Sequence, residues 1–431
     1  MNTDTLAPVL VFLTMMLAGN PVSAQSADPF RPTVNRRESE WIQEAQQKGA
    51  DDLEQAIAGL KERDLSTASA AVDFTLGNLY FQSENHEQAA AAYEKALEKF
   101  PAFRNAKINL GRIYLILERE AEAIRLYQEL VRDGVADAET YLLLGHALMM
   151  ESFPVSAENA YRQALLLDQN LREAKRGLLS TLMSQERHRE GLSLAKELLI
   201  LEPGQREYWA ARANAQLALG ETAEAASGLE QARRLGSVDA DMLATLGELY
   251  LQQQAPAEAA ARFEEAFEMG EDRLQRRERA ITGFLQTGAA EEAERLLEGF
   301  KTRLDRLSPA EKPEWELSYL RLRSRVDLEK GDLEEALRKG QRILETDPLD
   351  GGTLLMLAGI YEEQGDLEQA VSYCERAARI QGFEADAFIR QALIEAGRQR
   401  VERAVQLLER AQTYQENAAV ARYLRQLRRM E

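Results

Sequence analysis

The apolar positions of this chain recur at a fixed distance. Ala89, Ala123, Ala157, Gly191, Ala225, Ala259 and Ala293 lie 34 residues apart, and the period holds over six steps. Upstream of them stand Leu76-Gly77, Leu110-Gly111, Leu144-Gly145 and Leu246-Gly247, with Tyr80, Tyr114, Leu148 and Tyr250 three residues after each glycine. Four residues after the ladder come Tyr93, Tyr127, Tyr161, Phe263 and Leu297, followed by Ala96, Ala164 and Ala266, and Pro101 or Pro203 closes a unit. Each unit is predicted to be a helix pair, such as Ala70 to Gln82, a turn through Glu84-Asn85-His86, and Glu87 to Phe100. Gly77 and Ala89 are read as points where two helix backbones approach, while Tyr80 and Tyr93 fill the wider gaps. No unit buries its apolar face alone, so neighbours must stack.

The ladder breaks once. From Ala293 the next step is 43, to Ala336, after which Ala370 and Ala404 restore 34. The nine extra residues fall between Phe300 and Trp315, where Ser308-Pro309 and Lys312-Pro313 are expected to interrupt helix. This predicts an extended second helix followed by a loop, read as a tolerated surface insertion, with a hinge or binding loop as the alternative. Residues Arg37 to Thr67 hold two helical stretches, Glu38 to Gln47 and Asp52 to Arg63, around Gly49. Glu416 to Glu431 reads as one amphipathic helix with Ala419, Val420, Tyr423 and Leu427 on one face. The expected order is an atypical first unit at 37–69 within a first block at 37–307, an insertion at 308–316, a second block at 317–418, and the end of a capping helix at 419–431.

The N-terminus reads as an address. Leu6 to Leu17 is an apolar run of 12, followed by Gly19, Asn20 and Pro21 and then Val22-Ser23-Ala24. It is shorter than the ~20 residues of a membrane span and matches a secretory signal at 1–24, cleaved after Ala24. The segment before the run has Asp4 and no Lys or Arg, so an uncleaved signal is the alternative, and membrane association is expected only in that case. No cysteine follows the run, which excludes a lipidated lipobox. Residues 25–36, with Pro29 and Pro32, are expected to be a flexible leader. Export to a bacterial periplasm or the extracellular space follows as the expected location.

Taken together, the ladder, the Leu-Gly pairs and the aromatic positions closely resemble the tetratricopeptide repeat family, over about 350 residues. The resemblance implies an all-α fold: a right-handed α-solenoid of about ten to eleven helix pairs with a C-terminal capping helix and a concave surface lined by the first helices. Family groove positions fall here on Phe74, Asn78 and Phe81, on Asn105, Ile108, Arg112 and Leu115, and on Leu142, His146 and Met149. Peptide-clamping members place an asparagine in each of two successive units, and Asn78 and Asn109 match those positions. A carboxamide both donates and accepts, so such a pair holds a peptide backbone whatever its side chains. The clamp's basic positions correspond to Phe74, Glu139 and Leu143, which argues against an acidic C-terminus as ligand. The candidate groove is therefore Phe74, Asn78, Phe81, Asn109, Arg112, Leu115, His146 and Met149, with a protein or peptide segment as partner.

Composition narrows the chemistry. Among 431 residues, Lys and Arg total 53 against 72 Asp and Glu, a formal charge of −19 that argues against nucleic acid. One cysteine and three histidines leave no Cys/His metal cluster. No P-loop, dinucleotide-binding, His-Glu-x-x-His or nucleophile-elbow motif is present, and no cofactor is implied. Acidic pairs such as Glu264-Glu265 read as solvated helix faces, and Cys374 reads as a buried structural thiol at the position of Tyr93 and Phe263. The expected function is a non-enzymatic scaffold for protein interaction within a cell-envelope complex. The alternative is a polysaccharide-handling subunit of an envelope system, for which Phe74, Phe81 and Trp209 are the sugar-stacking candidates.

Overall fold

The structure, a computed structural model, describes residues 28–269 and 273–428. The expected signal at 1–24, the start of the leader and the last residues of the C-terminal helix lie outside them. Among the described residues there are 23 helices and no strand. In chain order they run as ten packed pairs, two helices that follow one another between the fifth and sixth of these, and a final single helix. The pairs run α1 (Arg36–Gly49) with α2 (Leu53–Lys61), α3 (Ala70–Gln82) with α4 (His86–Lys99), α5 (Arg104–Ile116) with α6 (Glu120–Arg132), and α7 (Ala138–Met150) with α8 (Pro154–Leu167). They continue with α9 (Arg172–Ser184) and α10 (His188–Leu201); α11 (Arg206–Ala218) and then α12 (Thr222–Arg234) follow in sequence; the pairs resume with α13 (Ala240–Gln252) and α14 (Pro256–Met269), and α15 (Leu274–Gln286) and α16 (Ala290–Asp305). The last are α17 (Lys312–Glu329) and α18 (Leu333–Thr346), α19 (Gly351–Glu363) and α20 (Leu367–Ala377), α21 (Glu384–Gly397) and α22 (Val401–Tyr414), then α23 (Ala418–Leu427). The fold is an α-solenoid of helix pairs.

The described chain forms two compact units, 28–221 and 222–428. The division falls between α11 and α12, not at the expected insertion 308–316. The inserted residues are mostly helix. They lengthen α16 to 16 residues and α17 to 18, leaving only 306–311 as connection. Pro313 does not interrupt helix but sits in the first turn of α17, where a missing N–H costs nothing. Phe300 packs against Trp315 and Tyr319, with ring centroids at 6.0 and 6.2 Å, so the insertion is stitched into the core of its unit.

The ladder alanines Ala89, Ala123, Ala157, Ala225, Ala259, Ala293, Ala336, Ala370 and Ala404 are all 0% exposed. The glycines of the Leu-Gly pairs do something more specific than admit a backbone. A Cβ on Gly77 would lie 2.6 Å from the Tyr93 ring, and Tyr161 fits between Gly145 and Gly177, whose Cβ atoms would lie 2.6 and 2.4 Å from it. Each glycine is a socket for the aromatic of a neighbouring helix. Cys374 takes the aromatic position of its own repeat; it is fully buried, and burial pushes its thiol up to about 11.

Ten turns between first and second helices share one closure. Glu84, Glu118, Ser152, Glu186, Gly220, Gln254, Gly288, Gly331, Gly365 and Gln399 all have positive φ, between 57° and 81°. The following N–H reaches back to the first helix, as Asn85 does to the Tyr80 carbonyl at 2.9 Å and Asp366 to that of Tyr361 at 2.9 Å. This is a Schellman-type closure that satisfies an orphan carbonyl and reverses the chain in each of these ten turns.

The N-terminal pair is firmly attached. Asn35 caps α1 reciprocally with Glu38, whose other carboxylate oxygen accepts the Ser69 N–H at 2.8 Å, joining the starts of α1 and α3. The leader, expected to be flexible at 25–36, is tethered over its described part. The Arg104 N–H donates to the Phe30 carbonyl at 3.3 Å, Val34 packs on the first core cluster, and α1 already begins at Arg36. At the far end, Asn417 caps α23, which buries Val420 and Leu427. The described helix ends at Leu427.

Candidate functional site

The first helices α3, α5 and α7 of the N-terminal unit bring the two candidate asparagines together. Asn109 Nδ2 donates to Asn78 Oδ1 at 3.1 Å, and the Tyr93 hydroxyl donates to the same oxygen at 2.7 Å. Arg112 Nη1 donates to Asn109 Oδ1 at 3.1 Å, and its Nη2 pairs with Glu139 on α7. The helical period explains the set, since Asn109 and Arg112 sit three apart on one face of α5.

The direction of this chain of bonds follows from one residue. Arginine only donates, so Arg112 fixes Asn109 Oδ1 as an acceptor, which turns the Asn109 amide nitrogen toward Asn78 and makes Asn78 Oδ1 the next acceptor. Asn78 Oδ1 is occupied twice, while the Asn78 Nδ2 group has no partner among the described residues. Burial holds the Tyr93 phenol well above its ordinary range and keeps it a neutral donor. The arrangement offers an N–H donor to a carbonyl, and its one guanidinium is neutralised by Glu139. It contains no nucleophile and no acid–base pair.

Other candidates divide by exposure. Phe81, Arg112 and Leu115 are buried, at 6, 7 and 5% exposed, inside the stack and not on an open wall. Ile108 and Leu142 are buried as well, while Asn105 is exposed. Phe74 is half-buried against Tyr93 and Phe103, and Met149 accepts a hydrogen bond from the Thr181 hydroxyl at 3.2 Å. His146 is half-buried, edge-on to Tyr161, with a buried Nδ1 that has no partner; burial, with Arg176 nearby, pushes it down to about 4. Two members escaped sequence reasoning. Tyr93 was assigned to packing alone, and Glu139 counted only as an absent basic residue. The spacing that places Glu139 34 residues after groove position Asn105 is the signal that points to it. Among the described residues no group of acidic, Cys and His side chains is arranged to hold a metal, and no helix is long and apolar enough to cross a membrane.

Two models of the tetratricopeptide repeat match this chain, one at residues 74–138 and 210–273 and the other at 327–392. The chain is a tetratricopeptide repeat protein, and repeats of this kind serve protein–protein interaction in proteins that are generally not enzymes. It is 36% identical over 73 residues to the Uncharacterized protein ycf37 of Cyanophora paradoxa, across 17% of this chain and 42% of that one. The match thus spans about two fifths of that relative's length. Among solved structures, it is similar to a tetratricopeptide repeat protein from Parabacteroides merdae, at 19% identity over 56% of this chain and 97% of that one, with a TM-score of 0.40. MamA from Desulfovibrio magneticus aligns at 17% identity over 38% and 94%, with a TM-score of 0.36. Yeast Tom70 aligns at 13% over 91% and 96%, with a TM-score of 0.38.

Proposed function

We propose that the protein is an exported, non-enzymatic scaffold that holds an extended segment of a partner protein on the first-helix face of its N-terminal unit, as part of a cell-envelope complex. The observation that carries this reading is the Asn78–Asn109–Arg112 chain, which leaves one amide donor open on a neutral surface. A peptide carbonyl is the matching acceptor, and Phe74 and Met149 lie half-buried on neighbouring helices for an apolar side chain. Glu139 already neutralises Arg112, so a ligand carboxylate must compete with it. The polysaccharide reading finds less support. Trp209 and Phe81 are buried, at 3 and 6% exposed, with the Trp209 indole N–H donating to the Pro203 carbonyl at 2.8 Å, so neither offers a face to a sugar ring.

The test places a photo-crosslinking amino acid at Asn105, the exposed groove position, in the full-length protein in its native cells. A dominant protein adduct that disappears with Asn78→Ala plus Asn109→Ala is the expected result. An adduct indifferent to those substitutions, or none from a folded and abundant protein, overturns the assignment of this face. Recovery of a mature chain beginning at Gln25 from the envelope fraction checks export, and a cytoplasmic chain retaining Met1 overturns that part.

A further inference from the structure

We infer that the N-terminal unit carries a self-association surface away from its first-helix face: an apolar patch at the C-terminal ends of α8 and α10 that meets the same patch of a second copy of this chain. Leu166 and Leu167 end α8, Ile200 and Leu201 end α10, and they are 72, 56, 82 and 50% exposed. The two pairs adjoin, because Arg172, which starts α9, bonds Glu202, the residue after Leu201, at 2.8 Å across the gap between the helix ends. Single exposed leucines are ordinary, whereas four together on neighbouring helix ends form a patch. The chain supplies its own control. Nine residues after the other ladder positions, where Leu166 and Ile200 have their equivalents, stand Glu98, Arg132, Arg234, Glu268, Thr302, Glu345, Arg379 and Thr413. Eight repeats put a polar group at this place, and two adjacent ones hold an aliphatic chain in water, a cost that burial against a partner removes.

The charges around the patch decide what covers it. Glu197 pairs with Lys175 at 2.6 Å, Glu202 with Arg172, and Arg162 with Glu158 and Glu190. Of the charged groups within four residues of the patch, only Asp168, next to Leu167, and Lys196, one turn before Ile200, have no ion pair among the described residues; both are exposed. One charge of each sign suits an isologous contact: a twofold that sets Lys196 of each chain beside Asp168 of the other makes the pair twice. Elsewhere two copies repel, since each carries a formal charge of −19, but here the surface is locally neutral. An anionic membrane gains little, because Asp168 offsets the one cation on offer. Four side chains cover less than the roughly 800 Å² per partner of a stable complex, so the dimer is weak, with a dissociation constant of the order of 0.1 mM. None of these residues belongs to the candidate groove, so this inference does not depend on the peptide-binding reading.

Sedimentation equilibrium of the full chain, from well below to several times that concentration, should show the weight-average mass rising from one chain toward two. Leu166→Glu with Ile200→Glu gives these positions the side chain that Glu98 and Glu268 carry at theirs. The pair should weaken association at least tenfold with circular dichroism unchanged, because both side chains are exposed. Leu166→Arg with Ile200→Arg should do the same, and an equimolar mixture of the two double variants should associate again, since an isologous patch faces its own copy. Asp168→Lys should weaken the dimer, and adding Lys196→Asp should restore it. A chain that stays monomeric over the whole range, association that survives the glutamate pair, or a charge exchange that restores nothing overturns the proposal. Flotation with phosphatidylglycerol vesicles that requires Leu166 and Ile200, from a chain that forms no dimer, assigns the patch to a membrane and overturns it as well.

Discussion

A Cβ on Gly111 would stand 2.6 Å from Cζ of Tyr127 and 2.7 Å from its hydroxyl oxygen. The socket is so close that the hydroxyl is buried without a hydrogen-bond partner, whereas Tyr93, one repeat earlier, donates to Asn78 at 2.7 Å. One substitution at two equivalent positions should therefore act in opposite directions. Tyr127→Phe removes an unsatisfied buried polar atom and is expected to stabilise the N-terminal unit by about 0.5–1 kcal/mol, while Tyr93→Phe removes a made bond and costs about 1 kcal/mol. Urea titration followed by circular dichroism measures both. Equal signs would show that the two hydroxyls do not differ in the way the geometry requires.

The repeated turn gives a second contrast. Glu118 holds φ of 57°, a left-handed conformation that an L side chain adopts at a cost, while Gly288 holds 73° at the equivalent position. Glu118→Gly is expected to gain a few tenths to about 1 kcal/mol, the relief of strain being partly offset by the freer unfolded chain, and Gly288→Ala is expected to lose about 1 kcal/mol. Hydrogen exchange of the flanking helices reads the change locally, which suits a repeat array better than a single melting temperature.

The third prediction concerns acid. His146 is pushed down to about 4 by burial, so the folded protein holds it neutral while the unfolded chain protonates near 6.5. Its contribution is complete above the unfolded value and is lost as pH falls from about 6.5 toward about 4. Between pH 7 and pH 5 the helix containing His146 should become easier to open by about 1–2 kcal/mol, and His146→Leu should flatten that decline. Exchange rates of 138–150 at the two pH values decide it.

How much was legible beforehand depends on which interactions carry the information. The pairing of helices could be read because Ala89, Gly77 and Tyr93 repeat in register, and steric fit at a fixed spacing is written in residue size. The α3 helix was placed at Ala70–Gln82 on that basis, as observed. At the insertion the lengthened second helix and the break at Ser308-Pro309 were readable, while Pro313 looks like a helix breaker and instead starts a helix, with Trp315 supplying the packing that holds it. Asn78 and Asn109 could be picked out by position, but not the bonds that occupy them.

By itself the sequence determined the repeat, the helix pairs and the small-residue ladder, because these follow from local periodicity and side-chain volume. The tertiary structure decided which polar groups remain available. Hydrogen-bond partners such as Arg112 and Glu139, or Tyr93 and Asn78, lie 27 and 15 residues apart, and only the packed helices bring them within reach. The same packing buried Phe81, Arg112 and Leu115 and left Asn105 exposed. Exposure and hydrogen-bond saturation are properties of neighbours, and one chain's order of residues does not name those neighbours until the helices have stacked.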